Sequence, residues 1–286
     1  MTNHSLGFLF VHGAWHDRHT WDLILPLLHA QGYVAEALDL PGAGVNAKNP
    51  VSYDQRPLDP VAFANEPSPN VDITQAQFNV AISNKVVSMA ARTNGKVVLV
   101  GHSKGGLAIS AVTEMGFEQI AAVVYISGIL VSNGVSALTY GQDPNMAQGE
   151  YSDLLMADPA VVGAARIDWQ STDFAYSSRL KAVFYDDVHE DTYQLFKAHL
   201  HPDEPMDGVL QPSPITPVRF GTVPRHYIRT SADRVFPPAA QDYMIARVDA
   251  TMPTTTIVHK IDSSHSPFAS QPIALVDILI NIATQS

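Results

Sequence analysis

The chain has 286 residues, 46% hydrophobic and 16% charged, which is enough apolar material for a sizeable core and too little charge for a disordered chain. Its 17 Lys and Arg stand against 28 Asp and Glu, and the net charge of −11 gives no general electrostatic grip on nucleic acid or an anionic membrane. No cysteine is present, which excludes disulfides, thiolate metal sites, iron–sulfur clusters and a thiol nucleophile.

Met1 to Ser5 show no charged segment leading into an apolar one, and the run Leu6 to Val11 is too short for a leader. No stretch reaches the roughly 18 apolar residues of a membrane span. The expectation is a soluble, cytoplasmic protein.

Gly7 to Gly13 reads as a buried strand ending in a glycine turn. Thr20 to Gln31 carries a helical apolar stripe (Trp21, Ile24, Leu25, Leu27, Leu28), stopped by Gly32. Tyr33 to Leu40 is a second strand, closed by Pro41-Gly42. Val45 to Asp72 is rich in Pro, Asn and Asp and has no period, so it reads as a long functional or mobile loop. Ile73 to Arg92 is a helix with Thr74 as its cap. Lys96 to Gly101 is the clearest strand, followed by a helix over Lys104 to Met115 and a strand over Ala121 to Ser127. Later come a strand at His226 to Thr230, a helix at Pro238 to Val248, a strand at Thr254 to Ile261 and a last helix at Ala269 to Ala283. Continuous apolar strands alternating with helices predict a mainly parallel sheet of about six strands, covered on both faces. Residues 129–223 break that rhythm with helical pieces (Ser152 to Met156, Ser177 to Val183, Asp191 to Leu200) and Pro-rich joints. They read as a mainly helical cap inserted into a single domain, whose core is residues 1–128 and 224–286.

Gly101-His-Ser-Lys-Gly-Gly106 follows the clearest strand and opens a helix, the strand–turn–helix context that Gly-x-Ser-x-Gly requires. A serine on that strained turn projects its hydroxyl beyond the strand end, and the glycines spare Cβ atoms where strand and helix meet. Neither a Walker loop nor a dinucleotide fingerprint matches here, so Ser103 is the candidate nucleophile. The backbone N–H of Lys104, at the helix start, can point at a developing oxyanion. A second donor is expected from the tight loop His12-Gly-Ala-Trp15, as the N–H of Ala14, with His12 bracing the turn.

A nucleophilic serine needs a base, and position chooses among 12 histidines. His265 lies in the polar loop after the last strand, where an imidazole can reach back to the serine. Asp233, just past the strand at His226 to Thr230, is the candidate acid; Asp249 and Asp262 are weaker rivals. The loop after the fourth strand, Ser127-Gly-Ile129, offers no carboxylate. His199-x-His201 lacks an identifiable third ligand, so no metal is expected there, nor any organic cofactor.

With these residues in place the chain resembles the α/β-hydrolase superfamily over nearly its whole length. Within it, the chain is similar to the small esterases that include plant methyl esterases, hydroxynitrile lyases and pyrethroid-hydrolase-like carboxylesterases. The likeness rests on Phe10 to Trp15, Leu38 to Gly42, Val98 to Gly106, Val218 to Pro224 and Ala232 to Pro237. It implies an α/β-hydrolase fold, a triad of Ser103, Asp233 and His265, oxyanion donors at Ala14 and Lys104, a small-molecule ester substrate and a homodimer through the cap. The lyases of this group carry a Thr after the first-strand His and a Lys after the catalytic His; here Gly13 and Ser266 stand there, which disfavours cyanohydrin cleavage. Lys104 replaces a commoner apolar residue; its cationic side chain either lies near the pocket, where it would favour an anionic or carbonyl-rich substrate, or points outward to solvent, and the second is the preferred expectation. Phe174, Tyr176, Phe184, Tyr185, Tyr193, Phe196, Met156 and Met206 supply apolar surface in the cap, with no one of them singled out for a pocket. They suggest a medium-sized, largely apolar ester or lactone. Carbon–carbon bond hydrolysis, perhydrolysis and ligand reception on the same scaffold stay open. A dehalogenase is disfavoured because its nucleophile would be Asp.

Overall fold

The apolar runs pair with one another because a sheet buried on both faces needs strands that are apolar on both sides. The computed structural model describes residues 6–93, 95–146 and 148–285; the reading of Met1 to Ser5 lies outside them. Strands β1 (Leu6–Val11), β2 (Val34–Ala37), β3 (Lys96–His102), β4 (Ile120–Ile126), β7 (Arg225–Thr230) and β8 (Ile257–Ile261) form one sheet in the order β2-β1-β3-β4-β7-β8. Every pairing in it is parallel. The order reverses between β1 and β3, and in open parallel sheets ligands bind at such a switch point, beyond the carboxyl ends of the strands. The strands that flank it end at Val11 and His102, which places the loops after β1 and β3 side by side. Helices Gln75–Ala90 and Gly105–Glu114 pack on each other and on β1 and β3, while Leu25–Ala30 packs on Pro272–Gln285. Thr74 caps the first of these in a reciprocal box with Gln77, as its position predicts.

Two predicted helices are broken, and proline is the cause in both. The stripe over Thr20 to Gln31 divides into a 3-10 turn (Arg18–Trp21) and a helix beginning at Leu25. Pro26 has no N–H and fits only a first turn, so the helix must restart there. The last helix divides into Pro267–Ser270 and Pro272–Gln285. Gln271 precedes Pro272 and leaves the helical region, at φ −131° and ψ 47°.

The segment between β4 and β7 holds helices Phe174–Phe184 and Glu190–Lys197 and two short strands that no period announces, β5 (Ala164–Arg166) and β6 (Asp203–Pro205). These two pair antiparallel, Arg166 opposite Asp203. Apolar residues of this segment, among them Trp169, Phe184 and Tyr185, join the same core as the strands. Val45 to Asp72 is better ordered than its composition suggests. It contains a helix, Pro60–Asn65, capped by Asp59, and the Glu66 carboxylate accepts the Val51 and Ser52 N–H groups at 2.8 Å each. No helix among the described residues is long and apolar enough to cross a membrane.

Candidate active site

Ser103 sits between the end of β3 and the helix Gly105–Glu114 with φ at +51°, a left-handed conformation costly for any residue but glycine. Three backbone hydrogen bonds hold it there. Its N–H donates to Ile126 (3.2 Å), and its carbonyl accepts from Gly106 (3.0 Å) and Ile129 (2.9 Å). The turn needs glycine two residues on: a Cβ on Gly105 would lie 2.7 Å from the His12 carbonyl oxygen and 2.8 Å from that of Val11. Ser103 Oγ has no hydrogen-bond partner among the described residues and lines a cavity of about 310 Å³.

Asp233 and His265 meet on the loops that follow β7 and β8, at the same end of the parallel sheet as Ser103. His265 Nδ1 donates to Asp233 Oδ2 at 2.9 Å, and both side chains are buried. The same oxygen accepts the hydroxyls of Ser127 and Thr230. Asp233 Oδ1 accepts the N–H groups of Val235 (2.8 Å) and Phe236 (2.9 Å). Burial alone would raise this carboxyl's pKa; the His265 charge and these hydrogen bonds outweigh it and hold it below the ordinary value. With Nδ1 committed to Asp233, His265 keeps Nε2 as the nitrogen free to take a proton. His102 Nε2 donates to the His265 carbonyl at 2.9 Å and fixes that loop. The rival acids are engaged elsewhere, Asp249 with Arg225 and Thr256, and Asp262 with Ser231. Arg234 pairs with Glu150, not with Asp233.

Neither the Ala14 N–H nor the Lys104 N–H has an acceptor among the described residues, and both residues line the cavity beside Ser103. His12 braces the Ala14 turn as expected. Its Nδ1 donates to the Gly13 carbonyl (2.9 Å) and its Nε2 accepts the Leu40 N–H (3.2 Å), and burial lowers its pKa, so it stays neutral. His16 Nδ1 donates to the Ala14 carbonyl (2.6 Å) and its Nε2 accepts the Tyr185 hydroxyl (2.6 Å); burial takes its pKa down to about 3.

The Lys104 side chain corrects the expectation that it faces solvent. It is buried, its ammonium pairs with the Glu204 carboxylate, and it donates to the Pro205 carbonyl at 2.6 Å. A charge can enter the interior because β6 brings an opposite one to it, and those strands are what the sequence concealed. Of the eight cap residues named for apolar surface, Met206 lines the cavity. Phe184, Tyr185, Tyr193 and Phe196 are core, and Phe174 is exposed. Leu138, Met146, Tyr151, Leu155 and Val209 add to the wall, with Phe236 from the core side. Ser127, Thr230 and Glu204 escaped the sequence reading; a hydroxyl at a strand end carries no pattern of its own.

Asp17 and His19 approach His199 closely enough for the ligand atoms of all three to lie within 4.8 Å of one another, a grouping that does not include His201 and so differs from the His199-x-His201 pair. Internal bonds already occupy much of this cluster. Asp17 Oδ1 accepts the His19 N–H, His19 Nδ1 pairs with Asp22 at 2.8 Å, and the neighbouring His201 Nε2 accepts the Gly44 N–H. No metal or cofactor reading follows from it.

A parallel sheet with a serine on the turn after its central strand, facing a cavity, defines the α/β-hydrolase fold class. The alpha/beta hydrolase family profile matches residues 8–278, and the chain belongs to that family. It is 26% identical over 290 residues to the pyrethroid hydrolase of Sphingobium wenxiniae, covering 96% of this chain and 86% of that one. It is also 26% identical over 288 residues to the putative methylesterase 11, chloroplastic, of Arabidopsis thaliana, covering 99% of this chain and 64% of that protein, so it spans less than two thirds of that relative. The crystal structure of a pyrethroid hydrolase from Sphingobium faniae JZ-2 superposes with a TM-score of 0.74 at 23% identity, covering 98% of both chains.

Proposed function

We propose that the protein hydrolyses carboxylic esters of medium-sized, largely apolar small molecules through an acyl-enzyme on Ser103. The observation that carries this reading is the juxtaposition at one end of the sheet. An unpaired serine hydroxyl in a strained turn faces an apolar cavity, with two unpaired N–H groups beside it and a buried His–Asp pair on the loops after β7 and β8, at the same end of the sheet. Relatives named as a pyrethroid hydrolase and methylesterases support the same class of bond.

In this mechanism His265 Nε2 takes the hydroxyl proton as Ser103 attacks the carbonyl carbon. Asp233 holds the Nδ1–H tautomer and stabilises the imidazolium that forms. Ser103 Oγ lacks a partner before substrate arrives, and catalytic hydrogen bonds commonly tighten only in the substrate complex. The N–H groups of Ala14 and Lys104 receive the oxyanion, each contributing about 3 kcal/mol to the transition state. The alcohol leaves with the proton from His265, and water activated by the same nitrogen releases the acid. The chain then divides into a hydrolase core, residues 1–128 and 224–286, and a cap, residues 129–223, which supplies Met146, Tyr151, Leu155, Met206 and Val209 to the acyl or alcohol pocket.

The test is Ser103→Ala beside the wild type on p-nitrophenyl butyrate and octanoate. The wild type turns over and the variant loses at least ~10³-fold in kcat/KM. Comparable rates in the two proteins, or no turnover by the wild type across an ester panel, overturn the reading.

A further inference from the structure

Trp15 is the second outlier of the site. Its φ is +61°, a conformation that a bulky side chain adopts only when its surroundings impose it. Those surroundings all belong to one segment. The Trp15 N–H donates to Glu204 Oε2 at 2.9 Å, its indole N–H donates to the Ala165 carbonyl at 2.8 Å, and its carbonyl accepts the His201 N–H at 2.9 Å. The peptide between Ala14 and Trp15 is therefore held at both ends, its oxygen by His16 and its N–H by Glu204. The other oxygen of Glu204 accepts from the ammonium of Lys104.

We propose that Glu204 is a positioning residue for the oxyanion site. One carboxylate on β6 fixes both residues whose N–H groups receive the oxyanion, Ala14 through the next peptide and Lys104 through its side chain. This rests on the esterase reading above. It explains why Lys104, placed where an apolar side chain would suffice for the turn, is drawn inward. It also makes the geometry of the first-strand loop depend on the inserted segment that walls the substrate cavity, so the donors are set only when β5 and β6 are in place. Glu204 touches no reacting atom in this scheme.

The test removes the buried charges in pairs and varies only the acceptor for the Trp15 N–H. Lys104→Met/Glu204→Gln keeps an oxygen at that position; Lys104→Met/Glu204→Met has the same length and none. Glu204→Leu replaces the second where the methionine variant does not fold, as judged by its melting transition. The expected result is a kcat at least ~10-fold lower in the variant without the acceptor, with KM within about threefold. The inhibition constant of an alkyl trifluoromethyl ketone, whose serine adduct places its oxygen at the donors, rises by the matching factor. Equal kcat and equal ketone affinity in the two pairs, or a difference confined to KM, overturns the positioning role while leaving the esterase reading intact. Retained activity in Ser103→Ala instead removes the reading beneath it.

Discussion

Arg166 in β5 donates from Nε and Nη2 to the two oxygens of Asp203 in β6, at 2.7 Å each, and neither side chain reaches solvent. Its remaining nitrogen, Nη1, donates to the carbonyls of Phe63 and Glu66. One guanidinium therefore ties the strand pair between β4 and β7 to the long loop after β2, and a planar fork suits that task better than an ammonium.

Arg166→Met leaves a buried carboxylate and two carbonyls without donors, and is expected to cost about 3–5 kcal/mol in urea unfolding. The double variant Arg166→Met/Asp203→Leu is expected to recover part of that loss, because no unpaired charge remains. Limited proteolysis of the single variant should cut first within Val45 to Asp72. A loop as resistant as in the wild type would show that Glu66 and Asp59 suffice to order it.

Asp233→Asn is expected to lower kcat by roughly 10³- to 10⁴-fold, since an amide neither fixes the tautomer of His265 nor stabilises its charged form. The carboxylate oxygens accept from five donors here, so an amide must turn its own N–H groups toward one set of them. A loss of about 1–3 kcal/mol of stability accompanies the change. Because the folded carboxyl titrates below its ordinary range, its contribution to stability is present above that range and is lost only as pH falls through the lowered value.

The particular residues show which parts of this organisation a sequence can disclose. Strands buried on both faces announce themselves as unbroken apolar runs, and β1, β3 and β4 were readable for that reason. Ser103 was readable because its turn forbids side chains two residues before and after it, which leaves glycines at fixed offsets. The prolines that break the first and last helices were equally visible, but a periodic stripe outweighed them. Strands of three residues, β5 and β6, have no period to detect. Glu204 and Arg166 lie on those strands, so the buried ion pairs they form depend on contacts between distant segments that spacing along the chain does not encode.

Acid should weaken the fold well above the range in which its carboxylates titrate. Burial, and then the charge of neighbouring His259, lower the pKa of His226 to about 4 from 6.5, and burial also lowers that of His259. The unfolded chain takes up these protons near 6.5, so between that pH and about 4 it binds more protons than the folded one, and stability falls as pH drops. His16, lowered to about 3, adds to the same slope. His226→Phe should flatten the dependence of the urea midpoint on pH between about 6.5 and 4.5. An unchanged slope would assign the acid sensitivity to the other buried histidines.

The cavity wall sets which esters fit. Leu155 and Val209 stand on it with no polar partner to lose, so enlarging either removes space without disturbing the site's hydrogen bonds. Val209→Phe is expected to lower kcat/KM for the octanoate ester at least ~10-fold relative to the butyrate, as a few methylenes lose their place. A parallel loss on both esters would indicate damage to the reacting groups instead, and an unchanged ratio would place the acyl chain elsewhere.

Gly13 places a steric demand on the first-strand loop itself. A Cβ added there would lie 2.8 Å from His102 Nδ1 and 2.8 Å from the Ser103 Cβ. Neither neighbour can yield freely. His102 is held by its bond to the His265 carbonyl, and Ser103 by three backbone hydrogen bonds. The displacement in Gly13→Ala therefore falls on the loop that carries Ala14, and moves its N–H away from the position the oxyanion takes. A shift of about 1 Å in such a group is enough for a loss on the order of 100-fold in kcat. Substrate binding, made by the apolar wall, should change little, so KM stays near its wild-type value while kcat falls. If kcat and the melting temperature both match the wild type, the first-strand loop has room that its contacts deny, and the close approach of that loop to Ser103 is not what shapes the site.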